Sequence, residues 1–330
     1  MPHVHVDELR DAAEARLRES GVRAEDARII VEHFLTATLW GRTSHGISLR
    51  FGYVLRQVAD GAGGPVPRIV DDEGHRFVMD AQHGFGYVAA YRTAEALIER
   101  ARRHGVASAA VRNAGHTGMI GHYADMVARA GVVAVMFANC SPLMAPWGGR
   151  RALLGTNPIT FAFPAQPDPI LVDMATSAIS YGELSERADA GETLPGGRAL
   201  DADGEPTCDP AEALEGALLP FGEHRGGALA VAVQLLAGAL TGSPSVPDPG
   251  AGYGLLMVGL ERGVFAGAQH YDRAVAEFIE RYLAVPARPG MEVRLPGSRR
   301  YRSRRAAGEE IEISDELAEL LGLNNDGERT

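Results

Sequence analysis

The side chains that could do chemistry begin with Ser44-His45-Gly46, a hydroxyl beside an imidazole at a turn after a helical stretch. A hydroxyl next to an imidazole can orient the ring and tune it as a general acid near neutral pH. A nucleophilic serine would need its own base and an oxyanion hole, and the sequence has no G-x-S-x-G elbow. On spacing alone, a capping serine followed by an exposed histidine is the simpler account. The second candidate is Asn113–Tyr123 (NAGHTGMIGHY), a glycine-rich turn between a strand-like run and a helix. Glycines there let the backbone approach a ligand, and a helix N-terminus offers unpaired N–H groups to phosphate. Its spacing is G-x-x-G-x-x-G, and the next strand ends in Asn139-Cys140-Ser141 without the acidic ribose reader of a Rossmann unit. A strand–helix corner that needs small residues explains the turn equally well.

The sequence has 11 histidines. His3, His5, His75 and His104 stand in polar or terminal settings, and His33 lies inside a helix where packing explains it. His116 and His122 lack the i, i+4 spacing of a helical zinc pair, so no metal site is expected. The chain has no lysine, so no lysine can serve as base or Schiff-base former.

These residues need elements to hold them. Residues 6–20 and 25–40 show helical spacing of apolar side chains, closed by Gly21 and Gly41. A third helix carries Phe51, Val54, Leu55 and Val58, and residues 61–67 read as a loop. From Arg68 short β-runs alternate with helices: strands at 68–70, 76–79, 106–111, 132–138, 159–162, 170–173 and 254–260. Helices are expected at 86–105, 123–130, 225–240, 272–283 and 315–323, with 187–210 as loop and a frayed tail after Asn324.

At 330 residues the chain can hold two domains, and its 45% hydrophobic and 23% charged residues are ordinary for a globular protein. The longest apolar runs fall short of the roughly 20 residues a membrane span needs. The N-terminus lacks a basic-then-apolar leader pattern, and two cysteines are too few for a disulfide framework. A cytoplasmic setting is therefore expected. The net charge of -11 disfavours nucleic acid and anionic membranes as partners.

An ordered set of blocks adds to this reading. They are Gly41–Gly46, Asn113–Tyr123, Asn139–Gly149, Leu154–Pro158, Asp173–Ser177, Leu194–Pro210, Phe221-Gly222 with Arg225-Gly226, Leu240–Gly242 and Pro296-Gly297. In this order, over nearly the whole chain, they resemble the malate/L-lactate dehydrogenase family of non-Rossmann NAD(P)-dependent oxidoreductases. That family includes ureidoglycolate and sulfolactate dehydrogenases, a diketogulonate reductase and cyclic imino-acid reductases such as piperideine-2-carboxylate reductase.

The resemblance implies an α/β (α+β) fold with a mostly antiparallel central sheet and a helical domain from both termini. Residues 1–67 and about 300–330 would form the helical domain, and 68–299 the cofactor and substrate region. It implies a homodimer acting on a small molecule with NADH or NADPH. His45 would be the proton donor, with Ser44 in its relay; some members give the proton-acceptor role to the histidine at His116. His116, Thr117, Gly118, Met119 and Ile120 would line the cofactor. Ser141, Asp173, Met174, Ala175 and the turn Pro296-Gly297-Ser298 would contact the dinucleotide. Arg225 stands where the family has a cofactor-binding lysine, and Thr156 and Asn157 would lie at the substrate.

Two departures bear on substrate. The family commonly reads Ser-His-Gly-x-x-Arg, whereas here Leu49 takes that place and Arg50 follows. One residue on a helix is a rotation of about 100°, so either Arg50 reaches the site by a local shift or the usual carboxylate clamp is missing. The expectation leans to the second. After Asp173–Ser177 the hydroxy-acid dehydrogenases often have Gly-Lys, and the imino-acid reductases an acidic residue in the Ser-His relay; here the pair is Gly182-Glu183. A carboxylate near His45 would favour the imidazolium and suit protonation of a nitrogen or alkoxide; the bland alternative is a solvated helix residue. The expectation is thus a reductase of a C=N or C=O carbon beside a carboxylate. The alternatives are a malate- or lactate-type dehydrogenase and, from another class, an inactive protein that keeps the fold without binding cofactor.

Overall fold

The computed structural model describes residues 1–61, 63–250 and 252–323. The expected frayed tail lies outside them. The chain divides into two compact units, Met1–Pro65 with Arg299–Thr330, and Val66–Ser298.

The first unit is helical. It contains strand β1 (His3–His5), helices α1 (Val6–Glu19), α2 (Ala24–Leu39) and α3 (Ile47–Ala59), then α10 (Ser298–Ala306), β12 (Glu310–Glu312) and α11 (Asp315–Leu321). The apolar residues of α2, among them Ile29, Ile30, Phe34 and Leu35, are buried, each worth about 1.5–3 kcal/mol of transfer free energy. β1 and β12 pair antiparallel through Val4 and Ile311 and tie the two ends of the chain together.

The second unit is built on a seven-stranded sheet. Its elements are β2 (Arg68–Asp72), β3 (Arg76–Asp80), α4 (Gly86–His104), β4 (Val106–Ala114), α5 (Ile120–Arg129), β5 (Val132–Ala138), β6 (Ile159–Phe163) and β7 (Ile170–Met174). There follow α6 (Tyr181–Ala190), β8 (Ala199–Leu200), β9 (Pro206–Thr207), α7 (Pro210–Glu215), β10 (Ala217–Leu218), α8 (His224–Ala237), β11 (Tyr253–Glu261) and α9 (Ala268–Leu283). The strand order is β2-β3-β4-β11-β5-β6-β7. β3 and β4, joined through α4, run parallel, and the other neighbours are antiparallel. The largely antiparallel sheet is the one the resemblance implied, and it has no doubly wound Rossmann topology.

Several boundaries move. Residues 187–210 are not one loop: α6 continues through Arg187 to Ala190, started by the Ser180 hydroxyl, which accepts from Glu183 N–H. β8 and β9 lie in the remainder, two residues each, too short to show a period. α8 ends at Ala237 because Gly238 breaks it, and Ala239–Thr241 continue as a 3-10 turn. α5 begins at Ile120 and α9 at Ala268, each several residues before the expected start. Among the described residues no helix is long and apolar enough to cross a membrane.

Candidate active site

In the helical unit a short 3-10 turn, Thr43–His45, separates α2 from α3. Ser44 Oγ lies 3.1 Å from His45 Nδ1. The turn is held from both sides. Thr38 Oγ1 on α2 accepts from Ile47 N–H at 3.1 Å, capping α3 where Gly46 has no side chain to do so. A Cβ on Gly46 would stand 2.8 Å from that same Thr38 oxygen. From the other side Arg50 Nε donates to the Ser44 carbonyl at 2.7 Å.

This contact shows how far the Arg50 side chain reaches. The 100° offset assumed that the side chain follows its helix position, but three methylenes let the guanidinium swing back to the turn. With Nε used on Ser44, its Nη1 and Nη2 have no hydrogen-bond partner among the described residues. Leu49, in the place the family gives to arginine, is 58% exposed.

In the sheet unit β4 leads into the glycine turn and α5. His116 Nδ1 accepts from Gly118 N–H at 3.0 Å and stands 3.2 Å from the Tyr87 hydroxyl. Thr117 is buried, and its carbonyl accepts from the Tyr123 hydroxyl at 2.7 Å. Burial holds the Tyr123 phenol well above its ordinary pKa, so it stays an O–H donor. Met119 and Ile120 are buried at the start of α5, and Met119 gives that helix no side-chain cap.

Ser141 Oγ lies 2.5 Å from the Tyr253 hydroxyl on β11. Asp173 on β7 accepts from Thr160 Oγ1 at 2.7 Å; Met174 beside it is exposed and Ala175 half-buried. The Pro296 carbonyl accepts from Leu171 N–H at 3.3 Å. Ser298 Oγ is enclosed with no hydrogen-bond partner among the described residues. Arg225 is exposed in the first turn of α8 and has no ion-pair partner among the described residues. Just before it Glu223 has φ +60°, a conformation that costs a non-glycine residue about 1–3 kcal/mol.

The other expected residues divide. Thr156 faces Cys140, hydroxyl to sulfur 3.6 Å, and its carbonyl accepts from Thr176 N–H at 2.8 Å. Burial pushes the Cys140 thiol above its ordinary pKa. Asn157 is fully buried, and its amide nitrogen donates to the Ala230 carbonyl and Gln234 Oε1 of α8. The donor is thus spent on packing a helix, while Asn157 Oδ1 is enclosed with no hydrogen-bond partner among the described residues. Glu183 sits in the first turn of α6 with its carboxylate 3.2 Å from Arg187 Nη2, the helix ion pair of the bland alternative. Thr38 and Tyr87 were not singled out in the sequence; each lies inside an apolar helical stretch with nothing to mark it.

The residues suit a dinucleotide. The starts of α5 and α8 have no side-chain cap and offer N–H groups to an anion, Arg225 adds a cation, and Ser298 Oγ is an enclosed polar atom without a partner.

The chain matches the model of the Malate/L-lactate dehydrogenase family over residues 4–321. It is 35% identical over 324 residues to L-sulfolactate dehydrogenase of Methanocaldococcus jannaschii, covering 93% of this chain and 94% of that protein. It is 37% identical over 334 residues to a Delta(1)-pyrroline-2-carboxylate/Delta(1)-piperideine-2-carboxylate reductase of Pseudomonas putida, with 96% of each covered. The solved structure of the M. jannaschii sulfolactate dehydrogenase matches with a TM-score of 0.90 at 32% identity, over 97% of this chain and 95% of that one. With its fold, its blocks and its relatives in agreement, the chain belongs to the malate/L-lactate dehydrogenase family and is an NAD(P)-dependent oxidoreductase.

Proposed function

We propose that the chain reduces a C=N or C=O carbon beside a carboxylate, with His45 as the proton donor. The observation that carries this reading is the Ser44–His45 contact, braced by Thr38 and Arg50. Bound NADH or NADPH supplies the hydride. As imidazolium, His45 donates Nδ1–H to Ser44 Oγ and gives its other proton, from Nε2, to the forming amine or alkoxide. The neutral ring left behind keeps Nδ1–H on Ser44, so its Nε2 lone pair can take the proton back in the oxidising direction. Arg50, fixed through Nε, has the Nη1/Nη2 edge to grip a carboxylate with two parallel bonds.

Arg225 and the starts of α5 and α8 suit the pyrophosphate, while Ser141, Asp173, Met174, Ala175 and the 296–298 turn take the rest of the dinucleotide. Thr156 contributes its hydroxyl at the substrate. A place for Glu183 in the relay of His45 rests on the resemblance alone, because its carboxylate is engaged by Arg187.

The substrate reading is tested by steady-state assays with pyruvate, oxaloacetate and Δ1-piperideine-2-carboxylate, each with NADH and NADPH. The expected result is a kcat/KM about tenfold or more higher for the cyclic imine than for either keto acid. Fast turnover of the keto acids alone would assign a malate- or lactate-type dehydrogenase instead.

The working form is a cytoplasmic homodimer. α9 supports this: no residue of that helix is buried, and Phe278, Tyr282 and Leu283 lie exposed on it, with Phe265 before it 86% exposed. Contiguous apolar surface of this kind marks an interaction face, and a second copy of the chain is the occupant the resemblance implies.

A further inference from the structure

The two histidines at the centre of the reading differ in one respect that decides what each can do. His45 Nδ1 faces a hydroxyl, which can accept or donate. His116 Nδ1 faces the backbone N–H of Gly118 at 3.0 Å, and a backbone amide can only donate. His116 Nδ1 must therefore present its lone pair, and the neutral ring carries its proton on Nε2. The Tyr87 hydroxyl, 3.2 Å from the same nitrogen, is then a second donor to it.

Tyr87 is itself well fixed. It is 1% exposed in the first turn of α4, its ring 5.9 Å from the imidazole between centroids. Its backbone carbonyl lies 3.4 Å from the Tyr123 hydroxyl, which also holds the Thr117 carbonyl. The residue before it, Gly86, runs against the backbone of Gly115 and His116 with no room for a Cβ. α4, the glycine turn and α5 thus meet around one imidazole.

We propose that His116 acts as a fixed Nε2–H hydrogen-bond donor to an oxygen of the substrate and does not accept the transferred proton, and that Tyr87 is a positioning residue which, with Gly118 N–H, holds that tautomer. Taking a proton from substrate on Nε2 would require the ring to start as the Nδ1–H tautomer. That form would set an N–H against the Gly118 N–H and leave a part-buried donor unsatisfied. A neutral imidazole donating from Nε2 can polarise a carbonyl or hold a carboxylate, while proton transfer stays with His45. The catalytic half of this inference rests on the proposed reduction; the tautomer does not.

Two measurements on the full-length enzyme separate them. The first is NMR of ring 15N-labelled histidines without substrate at pH 8.5, the His116 signals assigned by their loss in His116→Gln. Protonated Nε2 with unprotonated Nδ1 is expected, and an Nδ1–H ring would overturn the proposal whether or not any substrate is found. The second is kinetic. Glutamine places an amide N–H close to where Nε2–H stands, so His116→Gln is expected to keep kcat within about tenfold of the parent. His116→Phe, with no donor, should lose about 10²–10³. Tyr87→Phe should lower kcat about three- to tenfold and raise the share of the Nδ1–H ring in the His116 15N spectrum, a change that loss of packing alone does not give. Far-UV circular dichroism and the midpoint of thermal unfolding check that each variant is folded. If His116→Gln falls as far as His116→Phe, or loses a limb of the kcat–pH profile, His116 is a proton acceptor and the proposal fails.

Discussion

Replacing His45 with glutamine is expected to lower kcat for reduction by about 10²–10⁴, the range a positioned general acid contributes. Glutamine keeps a donor near the position of Nε2 but has no proton to release near neutral pH. The loss should therefore fall on kcat, with NADH or NADPH affinity within about threefold of the parent, because the residues proposed for the dinucleotide are others. His45 is only half-buried and stands in a short turn between α2 and α3, so the variant should melt near the parent temperature. Ser44→Ala should fall less, about tenfold, since it removes the partner of Nδ1 but leaves the acid. Retention of more than a tenth of parental kcat by His45→Gln would remove His45 from the proton path.

The second large effect is expected at Gly86. An alanine Cβ there would stand 2.3 Å from the Gly115 carbonyl oxygen and 2.6 Å from that of His116. Contacts under 3 Å with backbone cannot be relieved by a rotamer change, so one of the two segments must move. Neither is loose. Asp80 accepts from Gln82 N–H at 2.8 Å and from the Asn113 amide at 3.1 Å, and His83 N–H donates to the Asn113 carbonyl at 2.8 Å. Gln82 and His83 already hold positive φ to make that path. Gly86→Ala is expected to cost about 3 kcal/mol by denaturant unfolding and to weaken NADH and NADPH binding through displacement of His116. Gly52→Ala is the control, since within α3 nothing lies closer than Arg56 Nη1 at 3.8 Å; stability there should hold or rise slightly. Equal stability of the two variants would mean the glycine turn is softer than its hydrogen bonds indicate.

Much of the frame was legible because it is periodic. The apolar faces of α1 to α4 follow directly from residue spacing, whereas β5 is apolar at all seven positions and shows as a strand without showing which face is buried. α10 was not legible. Five of its nine residues are arginine and only Tyr301 and the last alanine are apolar, so it has no stripe to read. Its anchors are Tyr301, edge-on to Trp40 at 5.9 Å, and Arg300, with its guanidinium 5.7 Å from the Trp40 ring, contacts made across the chain and not along it. The pairing of β1 with β12 is three residues long and joins the two ends of the sequence, again beyond any local pattern.

At the site, Ser44-His45 was visible as a dipeptide, and the order of the surrounding blocks gave it weight. What the dipeptide could not show was its bracing. Thr38 reads as one more residue inside a helix, and Arg50 was judged by the direction of its Cα when its reach matters more. Tyr87 stands 29 residues from His116 in a run of apolar side chains, and only the return of the chain between β3 and β4 brings them together.

The bare face of α9 has a thermodynamic consequence. If a second copy covers Phe278, Tyr282 and Leu283, folding and association are linked, and the midpoint of thermal unfolding must rise with protein concentration. An upward shift across a hundredfold concentration range is the expected result, and a Phe278→Glu variant should lose that slope while keeping its monomer fold. A flat dependence for the parent would leave α9 exposed in solution. With the rising midpoint, dilution becomes a variable in its own right for this enzyme, setting how long it lasts.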